Sequence, residues 1–180
     1  MMSYVEPTFR SSLYLIKCDL ESLEHDLNDQ LDQFYTNLDH FYTNLDKFID
    51  AFETSDEKKQ MEKFVKNLKK KTNDAHEVIK FAVQAILDEE IEYLLECCRL
   101  DDLDMAEAIN LLKDICTELA EVERDAASLF DQAKLYLKEC PIPFPAIVFV
   151  SNVLHLVQDF TRSQCKVLNE SIQYVILDHS

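Results

Sequence analysis

The side chains best suited to chemistry in this chain are five histidines, at positions 25, 40, 76, 155 and 179, six cysteines and an abundance of carboxylates. Zinc on a helical face takes two histidines four residues apart, because that spacing aims both rings at one point. Neither H-x-x-x-H nor H-E-x-x-H occurs. A di-iron bundle takes inward glutamates and an E-x-x-H pairing. That pairing is missing too, and Glu89, Glu92 and Glu96 fall well away from the apolar stripe of their helical pattern. His155 alone stands among apolar residues, which suits a partly buried, hydrogen-bonded ring better than a metal ligand.

Cys18, Cys97, Cys98, Cys116, Cys140 and Cys165 form no C-x-x-C pair. Most lie on apolar stripes and read as small hydrophobes kept reduced. Adjacent Cys97 and Cys98 cannot easily bridge within a helix. The chain has no glycine, so a G-x-S-x-G nucleophile elbow cannot form. The phosphate-cradling P-loop and the dinucleotide turn also need glycine for close backbone approach. No catalytic residue, cofactor, metal site or small-molecule substrate is therefore expected, and the chain does not read as an enzyme.

A formal charge of −17 argues against nucleic acid, whose phosphates call for clustered Lys and Arg, and against anionic membrane surfaces. The basic run Lys58, Lys59, Lys63, Lys66, Lys69, Lys70 and Lys71 reads as a solvated face beside an acidic neighbour. Its competing reading is a nuclear-import or nucleic-acid patch. The first residues show no charged region followed by an apolar core, so no secretory leader is expected. With the cysteine pattern, this suggests a cytoplasmic protein.

The elements behind these residues are helices. From Leu27 the apolar residues Leu31, Phe34, Leu38, Phe41, Leu45, Phe48 and Phe52 recur every three or four positions, near the period that lets helices wrap around one another. The segments DQFYTNL, DHFYTNL and DKFIDAF, starting at Asp32, Asp39 and Asp46, form an internal seven-residue repeat. Tyr35, Tyr42 and Ile49 widen the stripe beyond a two-stranded seam, which suits a helix touching two neighbours. The candidate core or partner face is thus Phe34, Tyr35, Leu38, Phe41, Tyr42, Leu45, Phe48, Ile49 and Phe52. The stripe extends back through Leu13 and Leu20, with Lys17 and Glu24 at intervening core-type positions, so the first turns are expected to be looser.

Thr54-Ser55-Asp56-Glu57 has the form of a capping box and places a hairpin. The second helix carries Met61, Phe64, Leu68, Ala75, Val78, Ala82 and Ile86 inward, after which the stripe moves to Leu87, Ile91, Leu94 and Cys98. Antiparallel pairing about residues 54 and 55 sets Lys63 level with Asp46 and Lys70 level with Asp39. Asp104 with Glu107 opens a third helix with the seam Met105, Ala108, Leu112, Ile115, Leu119, Val122, Ala126, Leu129, Ala133, Tyr136 and Cys140. The prolines at 141, 143 and 145 end it. A fourth helix carries Ile147, Val150, Leu154, Val157, Thr161, Leu168, Ile172 and Val175 inward.

These patterns predict an all-α, elongated antiparallel four-helix bundle with coiled-coil-like heptad packing. It forms one domain over residues 1–180, with helices near 8–54, 56–99, 102–139 and 145–177. The leading functional expectation is a structural or interaction protein that binds a helical partner, or a second copy, through a long helical surface. An alternative starts from Phe144, Ile147, Val148, Phe149, Val150, Val153, Leu154 and Val157, a segment apolar on nearly all sides. At about 14 residues it falls short of the roughly 20 needed to span a bilayer, yet a bundle releasing it would be membrane-active. A third reading is a ligand cavity inside the bundle.

Overall fold

The computed structural model describes residues 2–48, 55–140 and 146–179, without the side chains of 2–7, 41, 42, 44–48, 55, 57, 146, 147 and 149. All regular structure among the described residues is helical. Helix α1 spans Met2–Phe48, α2 Ser55–Ala85, α3 Glu92–Arg99, α4 Met105–Leu137 and α5 Ala146–His179, and a π-helical turn, Ile86–Ile91, joins α2 to α3. Ala85, Ile91 and Glu92 keep helical backbone angles, so α2, the π turn and α3 form one uninterrupted rod. Four long helices thus pack against each other: α1 lies against α2 and α5, and α4 lies against the same two.

Helix α1 starts at Met2 rather than near residue 8, with Pro7 in its second turn. Proline's fixed φ is helical, and so close to an end its missing donor removes only one bond. Its inward stripe is Phe9, Leu13, Ile16, Leu20, Leu23, Leu27, Leu31, Phe34 and Leu38, every one buried. The expected looseness of the first turns is therefore corrected. Ile16 and Leu23 take the inward positions between Leu13, Leu20 and Leu27, which leaves Lys17 and Glu24 half-exposed at the flank.

In α2 the inward row is Met61, Phe64, Leu68, Thr72, Ala75, Ile79, Val83 and Ile86. Val78 and Ala82, expected inward, are half-buried at its edge. The difference turns on Thr72, a polar residue that is completely buried. Its hydroxyl donates to the carbonyl oxygens of Leu68 and Lys69 at 3.2 and 2.8 Å, which removes the cost of burying it. Once Thr72 counts as a core position, the spacing leads to Ile79 and Val83. The π turn then packs Ile86 and Leu87 into the interior side by side and continues the row through Ile91, Leu94, Leu95 and Cys98. A π turn holds more residues than an α turn, so it advances the apolar face by about one position. This is the backbone form of the stripe shift seen in the sequence.

Helix α4 is opened by Asp104, whose carboxylate accepts from the backbone N–H of Ala106 at 3.0 Å and Glu107 at 3.4 Å. Ala108, Leu112, Ile115, Leu119, Ala126 and Ala133 are buried, together with Phe130 and Leu137. Met105, Val122, Leu129, Tyr136 and Cys140 are half-buried. Helix α5 buries Val150, Leu154, Val157, Thr161, Leu168 and Ile172, and adds Gln158, Cys165 and Ile176.

The interior falls into two apolar cores. One runs from Phe9 to Leu27 on α1 and meets Ile79 to Cys98, Ala108 to Ala126 and Cys165 to Ile176. The other gathers Leu31, Phe34 and Leu38 with Met61 to Ala75, Phe130 to Leu137 and Val150 to Val157. His76, Gln158 and Thr161 are buried and lie, along their helices, between the residues of the two cores.

The turn after α3 solves a problem set by the missing glycine. Asp101 has φ of 52°, and the N–H groups of Asp102 and Asp101 reach back to the carbonyls of Cys97 and Cys98 at 2.9 and 3.2 Å. This is a Schellman C-cap, whose left-handed position glycine usually fills. Aspartate is among the few other residues that tolerate it.

Phe34→Ala is expected to lower unfolding stability by about 3–5 kcal/mol, as removal of a buried ring does. In the same denaturant titrations Asp101→Val should cost about 1–2 kcal/mol, and Asp101→Gly nothing.

Candidate functional site

Of the predicted partner face, Phe34 and Leu38 are 1% and 3% exposed and belong to the second core. Tyr35 is half-buried at its edge and donates its phenol to the Lys69 carbonyl at 3.1 Å. Burial raises its pKa above the ordinary tyrosine value. The side chains of Phe41, Tyr42, Leu45 and Phe48, and all of Ile49 and Phe52, lie outside the described residues. In the apolar segment of α5, Val150, Leu154 and Val157 face the second core, Val153 packs against it and Val148 is exposed. Phe144 and the side chains of Ile147 and Phe149 lie outside the described residues. Among the described residues no helix is long and apolar enough to cross a membrane.

Charged pairs link the rods. Lys17 donates to Glu92 at 3.0 Å. Asp39 takes Lys69 rather than Lys70. Lys69 is half-buried and lies within cation–π range of Tyr35, 5.9 Å from the ring centre, whereas Lys70 is exposed. The other anticipated pair, Lys63 with Asp46, lies outside the described residues because the Asp46 side chain does. Arg162 meets Glu123 at 3.7 Å between α5 and α4. Tyr136 stacks on Phe64 with ring centres 5.0 Å apart and accepts from Asn67 at 3.1 Å, tying α4 to α2.

The buried histidine is His76, not His155. His155 faces solvent and pairs with Asp159 one turn on, at 3.3 Å. Position 155 flanks Leu154 on the outer side of α5, so apolar neighbours in sequence do not surround it in space. His76 is 7% exposed and hydrogen-bonds Asn28 of α1 through Nε2, while its Nδ1 is buried without a protein partner. Burial disfavours the imidazolium and lowers its pKa. On α5, Gln158 donates to Asp131 at 3.1 Å, and this bond holds the Asp131 carboxyl below its ordinary range. Thr161 returns its hydroxyl to the Val157 carbonyl at 2.9 Å.

Glu90, in the π turn, is also perturbed. Glu89, Glu92 and Glu96 are exposed, but Glu90 is half-buried facing Glu118 of α4, and its Oε2 is buried without a protein partner. Burial first, then Glu118, with Asp114 and Glu89 beyond it, pushes its carboxyl up to about 7. Sequence reasoning missed Glu90 because a regular α-helix gives no reason to single it out from Glu89. The stripe shift at Ile86 and Leu87 is the signal that could have found it. Burial also pushes the Cys116 thiol up to about 11 and the Cys165 thiol up to about 12, values at which thiolate chemistry is suppressed. Among the described residues no group of three or more His, Cys, Asp or Glu side chains could hold a metal ion.

The outer surface carries a groove of about 520 Å³ between α1 and α5, with Ser12, Leu15, Ile16 and Asp19 on one wall and Val167, Glu170, Ser171, Tyr174 and Val175 on the other. Leu15, Val167 and Tyr174 are 67%, 56% and 72% exposed. Compared with protein-family models, curated proteins and solved structures, the chain finds no match.

Two opposite pH dependences follow. Glu90 titrates at about 4.5 unfolded and about 7 folded, so the fold retains a proton that the unfolded chain has released. Its stabilising contribution is complete below pH 4.5 and is lost as pH rises through 7. His76 is held neutral, so its contribution is complete above its ordinary value of 6.5 and is lost as pH falls below it. Denaturant midpoints measured against pH should therefore flatten between 4.5 and 7 in Glu90→Gln relative to the parent chain. In His76→Asn the loss on acidification below 6.5 should shrink.

Proposed function

We propose that this chain is a non-enzymatic interaction protein, a single elongated antiparallel bundle with coiled-coil-like packing that binds a helical partner through its outer surface. The antiparallel reading is supported by the cross-links between rods, in which residue numbers rise on one helix as they fall on its neighbour. Lys17 meets Glu92, Asn28 meets His76 and Tyr35 meets Lys69. In the same sense Cys116 meets Asn169 and Ala127 meets Gln158. Cysteines packed in the core as small hydrophobes, such as Cys116 and Cys165, suit a reducing, cytoplasmic setting.

The observation that carries the functional reading is an apolar surplus. Each rod already buries a full inward stripe, yet Leu15, Phe81, Leu135, Leu156, Val167 and Tyr174 remain more than half exposed. Scattered single hydrophobes need no explanation, but grouped ones mark contact surfaces, and Leu15, Val167 and Tyr174 share one groove. The membrane-active alternative requires Val150, Leu154 and Val157 to leave the second core. Exposing each such side chain costs about 1.5–3 kcal/mol, which favours the interaction reading.

Photo-cross-linking from positions 15, 81, 135, 156, 167 and 174 in native extract, read by mass spectrometry, tests the proposal. The expected result is one partner, or a second copy, captured repeatedly from neighbouring positions and lost when the bait is unfolded. Random capture, equal for folded and unfolded bait, would count against any binding role.

A further inference from the structure

The α1–α5 groove carries a charge signature as well as an apolar one. We propose that it is a docking site for a basic amphipathic helix of another protein, with leucine-like side chains between Leu15, Val167 and Tyr174 and with lysines or arginines meeting Asp19 and Glu170. This rests on the interaction reading above and names the chemistry of the partner.

Three observations converge on that occupant. The groove runs between two helices that pack against each other, with buried Ile16 and half-buried Val175 of the first core lining it and its apolar walls open to solvent. A channel between two helices is the seat into which a third helix lays its apolar face. Its charged lining residues are both acidic, and among the described residues neither Asp19 nor Glu170 forms an ion pair with a cation of this chain. Lys17 is turned to Glu92 and Arg162 to Glu123.

The acidic lining also decides between occupants. A second copy docking groove to groove by two-fold symmetry would bring the Asp19 and Glu170 carboxylates of both copies into one interface on a chain of charge −17, and like charges across an interface are costly. The chain's own basic segment is already committed, because Met61, Phe64 and Leu68 of α2 fill the second core. An anionic bilayer meets the same repulsion as a second copy. A helix with basic flanks gains from both the apolar wall and the two carboxylates, and the long-range field speeds its encounter.

The test uses the full chain and two labelled synthetic peptides of about 20 residues, both with leucines at i, i+3, i+4 and i+7. One carries lysines at the flanking positions and its twin carries glutamates. Fluorescence anisotropy at physiological salt should show the lysine peptide binding and the twin at least about tenfold weaker. The double variant Asp19→Lys/Glu170→Lys should weaken the lysine peptide by about tenfold or more. Glu121→Lys/Asp125→Lys, an equal charge change on the exposed face of α4, should change it by less than about twofold. Leu15→Ser/Tyr174→Ser should weaken it as well, with helicity by circular dichroism unchanged in all three variants. The proposal is overturned by no binding of the lysine peptide, by equal binding of the glutamate twin, or by equal loss in the α4 variant, which would reveal diffuse attraction to net charge. Its failure is separable from that of the interaction reading. A partner that cross-links equally to the parent chain and to Leu15→Ser/Tyr174→Ser leaves that reading intact and removes the groove.

Discussion

Two long apolar stripes pressed together can slide by a turn and still bury similar surface. What resists sliding in this fold is the polar layer between the two cores. His76 bonds Asn28 through Nε2 across the α1–α2 boundary, and the Gln158 amide N–H donates to Asp131 and the Ala127 carbonyl across the α4–α5 boundary. A slip of one turn would strand these groups among leucines, and an unsatisfied buried polar group costs about 1–3 kcal/mol. Apolar pairs have no comparable alternative to lose. The layer therefore acts in the way a buried polar residue fixes coiled-coil register, giving up some hydrophobic stabilisation in return for one axial alignment.

From that alignment the surface arrangement follows. With α1 and α2 held in register, Lys17 reaches Glu92 and Lys69 reaches Asp39. With α5 placed against α1, Leu15 and Tyr174 come to share a groove. None of these outer contacts sets the fold, since exposed ion pairs contribute little. They are consequences of the interior.

Helix content, the Asp104 cap and most inward positions of α4 and α5 were legible because apolar spacing reports directly on burial. One slip came where a polar residue was doing a hydrophobic residue's work. The inward row of α2 passed over Thr72 and went on to Val78 and Ala82, although the Thr72 hydroxyl is satisfied by its own helix. Overlooking Ile16 and Leu23 made the start of α1 look loose when it lines the larger core. His155 drew notice for its neighbours in sequence, yet burial is decided by angular position, and His76, beside Ala75, holds that position. The groove could not be read at all. It joins residues more than 150 positions apart, and nothing local distinguishes Leu15 or Tyr174 from the inward leucines and aromatics around them.

The π turn at Ile86–Ile91 has the geometry of an α-helix that has accepted one additional residue. Seen as an insertion, it acts as a phase shifter. The segment before it is timed to Met61, Leu68 and Val83, and the segment after it to Ile91, Leu94 and Cys98, two periodic signals that a uniform helix would leave out of step. The same local excess turns Glu90 toward Glu118. A single-residue change in chain length thus both reconciles the two halves of the rod and creates the most strongly shifted carboxyl of the described structure.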